Sequence, residues 1–261
     1  MTLSNKSNRL DWVDSFYRFQ NTYFEVYLGD LTDHDQRRTS LIQHYFPRGG
    51  AVLELGGGGG QTSCMLSQNG FDVTMVEIQQ QSVRHAEVLM QKYATSWEVI
   101  LDDFYEVEIN KQFDVICYFD SFGIGSDDDQ IRLLSRIRHW LKDDGMAFVE
   151  VGNKTFWRDI AFGRSFNLGP AIRTYDYDFE NDILMDTWML NAPGRQTNIQ
   201  QLRCYSTHEM DDLLIKSNLC ALDYQPAGRL DFEREEFTMD STISNCMTYY
   251  SLIKKDRCIV I

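Results

Sequence analysis

The residues with the clearest chemical implication are Glu54 and the glycines behind it, in Ala51-Val52-Leu53-Glu54-Leu55-Gly56-Gly57-Gly58-Gly59-Gly60-Gln61. A short apolar run ends in an acid, a glycine run follows, and Gln61-Thr62-Ser63-Cys64-Met65-Leu66 has helix-compatible spacing. This order predicts a buried strand, a tight turn and a helix N-terminus. Glycine admits positive φ and lets a ligand approach bare N–H groups. A polar small molecule is expected on that turn, at the carboxyl end of the strand. A flexible linker is the competing reading, but a linker has no reason to follow a strand and precede a helix.

Glu77 closes the next apolar run, about 20 residues on, where an acid accepts hydrogen bonds from both hydroxyls of a ribose. Dinucleotide sites use the same device, so Glu77 indicates a nucleoside without deciding which one. The dinucleotide pattern G-x-G-x-x-G fails here. Its sixth position is Gln61 counted from Gly56 and Thr62 counted from Gly57. The pattern acid-x-G-x-G-x-G is filled at every slot, by Glu54, Gly56, Gly58 and Gly60.

That filled pattern resembles motif I of the class I S-adenosylmethionine-dependent methyltransferases. Phe113-Asp114-Val115-Ile116 resembles the family's Phe-Asp-x-Val fourth strand, and Asp144-Gly145 precedes a fifth strand as it does there. The resemblance covers roughly residues 50–152. It implies S-adenosyl-L-methionine as cofactor and S-adenosyl-L-homocysteine as product, with Glu54 helping to hold the methionyl ammonium. It also implies that Asp103, after the third strand, bonds the adenine amine while the backbone amide of Phe104 meets the ring. Asp102 competes for that role. Asp103 is preferred because Asp103-Phe104-Tyr105 resembles a signature within a subgroup of these enzymes. Ile78 is expected on one adenine face, and Phe119, ending the fourth strand, beside the methyl group.

The methyl group of a sulfonium is electrophilic, so such an enzyme need only align a nucleophile and exclude water. No metal is required, and the histidines at 34, 44, 85, 139 and 208 show no ligand spacing. The catalytic candidates are Asp120 and Asp159. Asp120 holds an amine or hydroxyl of the acceptor, or it caps a turn. In Gly152-Asn153-Lys154-Thr155-Phe156-Trp157-Arg158-Asp159, Trp157 and Asp159 offer stacking and charge to a cation. Lid packing and a solvated acid are the alternatives there. Asn153 and Trp157, with Phe16, Tyr17 and Tyr23 of an aromatic N-terminal stretch, are the acceptor-binding candidates.

The expected reaction is methylation of an amine on a small natural product or modified peptide. The alternative is O-methylation of a hydroxyl or carboxyl group on a small metabolite. Length and layout are also similar to the N-methyltransferases that dimethylate the N-terminal arginine of plantazolicin-type azole peptides, although no single motif carries that likeness.

Several elements must position these residues. Three- and four-residue spacing predicts helices over 8–30 and 35–46. Strands over 51–55, 71–77, 97–101, 113–119 and 146–151 alternate with helices over 60–69, 79–94 and 127–142. Repeated β-α units imply a Rossmann-like α/β fold: a seven-stranded, mostly parallel sheet with helices on both faces. Period-two alternation within 154–205 predicts an antiparallel insertion after the fifth strand. A helix near 207–218 and strands near 219–225 and 246–254 complete the sheet. The chain divides as one domain: a helical cap over 1–48, a cofactor core over 49–153, an insertion or lid over 154–205, and the end of the sheet over 206–261.

The chain has 261 residues, 43% hydrophobic, enough for one large globular domain. Its formal charge of −14 argues against sequence-independent nucleic-acid binding. No apolar run approaches ~18 residues, so no membrane helix is expected. The six cysteines form no C-x-x-C pair, which fits free thiols in a reducing cytoplasm. Cys258-Ile259-Val260-Ile261 matches a prenylation signal only loosely. Either a monomer or a homodimer is compatible with the sequence.

Overall fold

Parallel strands joined by crossovers bring their carboxyl ends to one edge of a sheet, and that edge is where a ligand crevice forms. The computed structural model describes residues 11–192, 194, 196–234 and 236–255. Two helices, α1 (Asp11–Phe24) and α2 (Asp33–Tyr45), precede the sheet. Then follow β1 (Ala51–Leu55), α3 (Gln61–Gln68), β2 (Asp72–Glu77), α4 (Gln80–Tyr93) and β3 (Glu98–Leu101). Next come β4 (Phe113–Phe122), α5 (Asp127–Trp140) and β5 (Leu141–Gly152). The insertion consists of α6 (Lys154–Ile160), β6 (Arg164–Asn167), β7 (Ala171–Asp178), β8 (Ile183–Leu190) and β9 (Thr197–Arg203). The chain returns through α7 (Thr207–Lys216), β10 (Leu219–Pro226), β11 (Arg229–Asp231), β12 (Glu236–Thr238) and β13 (Thr248–Lys255).

The main sheet has seven strands in the order β10-β13-β5-β4-β1-β2-β3. β13 runs antiparallel between β10 and β5, and the other pairings are parallel. From β1 the chain steps outward through β2 to β3, then crosses to β4 on the other side. The β1/β4 boundary is therefore the point where strand order reverses, and a crevice opens there.

Both faces of the sheet are covered. Leu133, Leu134, Ile137 and Trp140 of α5 and Met210, Leu213 and Leu214 of α7 pack one face. Ile42 of α2, Cys64 and Leu66 of α3, and Ala86 and Leu89 of α4 pack the other. Burial on both faces explains why the strands read as continuous apolar runs. Helices α2, α5 and α7 each begin with a capping box, Thr32–Asp35, Ser126–Asp129 and Ser206–Glu209, which satisfies their first amides.

The insertion is a four-stranded antiparallel sheet, β6-β7-β8-β9. One side of it packs α1 through Ala171, Trp188 and Leu190 against Phe16 and Phe19. The stretch after β5 opens the insertion with a helix, α6, because the Asn153 side chain accepts a hydrogen bond from the Thr155 N–H and caps it. None of the described helices is long and apolar enough to cross a membrane. Cys258, the loose prenylation candidate, lies outside the described residues.

Candidate active site

The glycine turn after β1 is built on two alternating demands. Gly56, Gly58 and Gly60 adopt φ of 63°, 53° and 85°, a region that L side chains rarely enter. Gly57 and Gly59 have ordinary φ, but a Cβ on the first would strike the Met75 side chain and on the second the Tyr27 carbonyl oxygen. The expected acid-x-G-x-G-x-G slots are thus the positive-φ positions. Gly60 is also the N-cap of α3, so the amides of that helix open toward the turn.

Glu77 ends β2 directly beside the turn. Its carboxylate accepts the Gly58 N–H at 2.8 Å and the Gln79 N–H at 2.7 Å. Burial outweighs these bonds and pushes the carboxyl up to about 7. Glu54 lies buried beneath the turn and takes a short hydrogen bond from the Ser63 hydroxyl. Burial pushes it up to about 7 as well. Asp103 accepts the Tyr105 N–H at 2.8 Å, while Asp102 is exposed and accepts the Asp103 N–H.

A cavity of about 430 Å³ opens along this edge, a volume suited to a small-molecule site. Glu54, Gly56, Gly58, Glu77, Ile78, Asp103, Phe104 and Phe119 all line it, and Asp102 does not. The preference for Asp103 over Asp102 agrees with this placement. The cap closes the cavity from above: Gln61 donates to the Tyr27 and Gly29 carbonyls, both at 3.0 Å, laying residues 25–30 over the glycines.

Asp120, Tyr17, Ser121, Arg38 and Glu150 also line the cavity. Pairing between β4 and β5 is regular to Tyr118–Val149 and resumes only at Phe122–Val151. Asp120 sits in that irregularity at φ 65°, a strained setting for a non-glycine residue. Its side chain meets the cavity rather than the core, yet surrounding protein strips it of water and pushes it up to about 6. Among the described residues, no group donates a hydrogen bond to its carboxylate. The Tyr17 hydroxyl lies 3.2 Å from the Ser121 hydroxyl.

The remaining acceptor-side candidates are not brought here. Phe16 is 1% exposed and wedged between Trp12 and the inserted sheet. Tyr23 is 47% exposed and packs on Phe19 outside the cavity. Asn153 is buried, with its amide given to the Ile243 and Cys246 carbonyls at 2.7 and 2.9 Å. Trp157 is 6% exposed in the insertion's own core, against Phe156 and Tyr175. Asp159 lines a separate hollow with Phe156, Phe232 and Arg229. Helix formation over 154–160 is the common cause for the last three. It turns Trp157 inward, fixes Asn153 as a cap and carries Asp159 away from the crevice.

Residues 52–145 match a family described as a methyltransferase domain. A curated relative, the ubiquinone biosynthesis O-methyltransferase of Rickettsia akari (strain Hartford), is 23% identical over 139 residues, 53% of this chain and 51% of that protein. The chain thus spans about half the length of the curated relative that it matches. The CcbJ methyltransferase from Streptomyces caelestis superposes with a TM-score of 0.71 at 17% identity, covering 95% of this chain and 98% of that one. An S-adenosylmethionine-dependent methyltransferase from Clostridium acetobutylicum ATCC 824 gives 0.66 at 15% identity, covering 93% and 98%. At such identities the likeness is one of fold, and it extends over nearly the whole chain.

Residues 52–145 match a methyltransferase domain, and nearly the whole chain shares its fold with S-adenosylmethionine-dependent methyltransferases.

Sequence reasoning passed over three features of this methyltransferase domain and its surroundings. Arg38 of α2 forms a buried ion pair with Glu150 of β5 at 2.6 Å, and its guanidinium lies 4.6 Å from the Phe119 ring centroid. Thr248 of β13 holds the other Glu150 oxygen at 2.8 Å. Burial alone would raise the Glu150 carboxyl; the Arg38 guanidinium reverses that and holds it below the ordinary range. One signal was present, since Glu150 is an acid inside the apolar run Met146–Val151. Arg38 carried none, because it belongs to a polar helix and enters the cavity only through tertiary packing.

Proposed function

We propose that this protein transfers the methyl group of S-adenosylmethionine to an amine of a small molecule, or of a modified peptide whose amine reaches the cavity. The observation that carries the amine is Asp120: a carboxylate lining the cavity, next to Phe119 in the chain, with no hydrogen-bond donor from the described protein. A group so placed suits an acceptor that brings its own N–H.

The residues present fit the cofactor. Glu77 keeps lone pairs for two ribose hydroxyls after serving Gly58 and Gln79. Asp103 and Phe104 line the cavity and would meet an adenine edge and face, and the Glu54 carboxyl beneath the turn would take its charge when it meets an ammonium. Bound S-adenosylmethionine supplies an electrophilic methyl on a sulfonium and leaves as S-adenosylhomocysteine, the sulfur keeping the C–S bonding pair. Asp120 accepts one amine N–H and so aims the nitrogen lone pair along the line of attack. The amine must be neutral to attack. Once the N–C bond has formed, the surplus proton passes from nitrogen to Asp120 or to water. The cap and Phe119 keep water from competing.

One observation favours a second reading, methylation of a hydroxyl. Desolvation makes Asp120 a stronger base than an ordinary aspartate, which an alcohol needs more than an amine does. The test is S-adenosylhomocysteine release with matched amine and alcohol panels, using wild type and Asp120→Asn. The amine reading expects turnover of amines, reduced by roughly a hundredfold or more in the variant, at unchanged S-adenosylhomocysteine affinity. Turnover confined to alcohols would replace it with the second reading.

A further inference from the structure

The Arg38–Glu150 pair lies at the cavity wall and joins α2 to β5. Both side chains are nearly buried, at 12% and 5% exposure, and both line the cavity. A buried ion pair generally adds little stability over well-packed apolar residues of the same volume. Here three elements converge to hold it: α2 supplies Arg38, β5 supplies Glu150, and β13 supplies Thr248. The Phe119 ring fixes the guanidinium from one side. Arg38 Nε is buried and has no acceptor among the described residues, a costly state for a charged donor.

The pair also stands close to Asp120. Tyr118 pairs with Val149, so Glu150 lies one residue past the last regular pair, on the strand beside Phe119 and Asp120. Glu150 and Arg38 are, after burial, the strongest influences on the Asp120 carboxyl. His34, on the same helix as Arg38, is held below its usual range by burial and by the Arg38 charge, so it adds no second cation at neutral pH.

We propose that Arg38 is a specificity-determining residue that binds an uncharged oxygen of the acceptor, so that the acceptor is an amine carrying a hydroxyl or carbonyl oxygen close to the nitrogen. This rests on the amine reading above. Glu150 already balances the guanidinium, so the site favours a neutral oxygen over a carboxylate. Arg38 donates to that oxygen, and a Glu150 carboxylate oxygen can accept a hydrogen bond from its hydroxyl in return. Asp120 and Arg38 then fix the acceptor at two points, and two points set the nitrogen's line of approach to the methyl group.

Three probes of one size test this: trans-2-aminocyclohexanol, cyclohexylamine and cyclohexanol. Each is assayed by S-adenosylhomocysteine release and product mass, in wild type and in Arg38→Met/Glu150→Gln. The double variant removes both charges, so neither is left buried alone; melting and S-adenosylhomocysteine affinity confirm that it folds. The proposal expects kcat/KM for the amino alcohol to exceed that for cyclohexylamine by at least about tenfold. It expects the variant to bring the two amines to parity, mainly through KM. Parity in wild type, or a preference that survives in the variant, overturns the role of Arg38 while leaving the amine reading intact. Methylation on oxygen sinks the amine reading and this inference with it. Failure of all three to be methylated by protein that binds S-adenosylhomocysteine overturns the proposal as well.

Discussion

Gln200 donates a hydrogen bond of 2.9 Å to the Tyr17 hydroxyl, 183 positions earlier in the chain. The same hydroxyl lies 3.2 Å from that of Ser121, the residue after Asp120. The inserted sheet, the N-terminal cap and the end of β4 are therefore joined at one phenol.

Removing that phenol should loosen the cap. Tyr17→Phe is expected to lower stability by about 0.5–1.5 kcal/mol per bond lost, read by denaturant melting. Turnover should fall further than S-adenosylhomocysteine affinity does. A selective loss of affinity would instead place Tyr17 at the cofactor end.

Glu77→Ala and Asp103→Ala should each weaken S-adenosylhomocysteine binding by roughly 1–3 kcal/mol, measured calorimetrically. Glu77→Ala should have the larger effect, because it also frees the Gly58 and Gln79 amides. Unchanged affinity in both would mean that the nucleoside lies elsewhere.

Acid–base behaviour follows from the same carboxylates. Burial raises Glu54 and Glu77 to about 7 and Asp120 to about 6. Each binds its proton more tightly in the folded protein than in the unfolded chain. Its contribution to stability is full below the unfolded value, roughly 4, and is lost as pH rises through 6 to 7. The Tm of the ligand-free protein should fall between about pH 4 and pH 7, and Glu77→Gln should flatten part of that slope. A slope identical in the variant would show that Glu77 does not titrate in this window.

Trp157→Ala should cost about 3–5 kcal/mol of stability with S-adenosylhomocysteine affinity retained, since the ring fills the insertion's core. Asp159→Ala should leave that affinity unchanged, given its place in the separate hollow. Lost cofactor binding at normal stability in Trp157→Ala would return the ring to the cleft.

The sequence was most legible where local rules act alone. Because apolar runs and glycine turns fix those elements without help from distant chain, the β-α alternation from Ala51 to Trp140 lies within two residues of expectation, except that β4 runs three residues further, to Phe122. Glu54, Glu77 and Asp103 were expected together at one edge of the sheet for the same reason, and all three line the cavity there: each sits at or just past a strand end. Acceptor-side residues were harder. Trp157 and Asp159 were misplaced because one capped turn of helix after Asn153 redirects both, and Phe16 because aromatic density in α1 serves packing as well as recognition. Arg38 and Glu150 come from α2 and β5, 112 positions apart, and nothing local marks their meeting.

The place of β13 bears on how the polypeptide must be made. It lies inside the sheet, between β5 and β10, so that Thr248 meets Glu150 across 98 positions of chain. While the ribosome is still working on the insertion, β5 has β4 on one side and a bare, apolar edge on the other. Such an edge invites pairing with any neighbouring nascent chain. The last interior strand therefore acts as a solubility checkpoint: a polypeptide halted before it is expected to aggregate rather than to persist as a weakened enzyme.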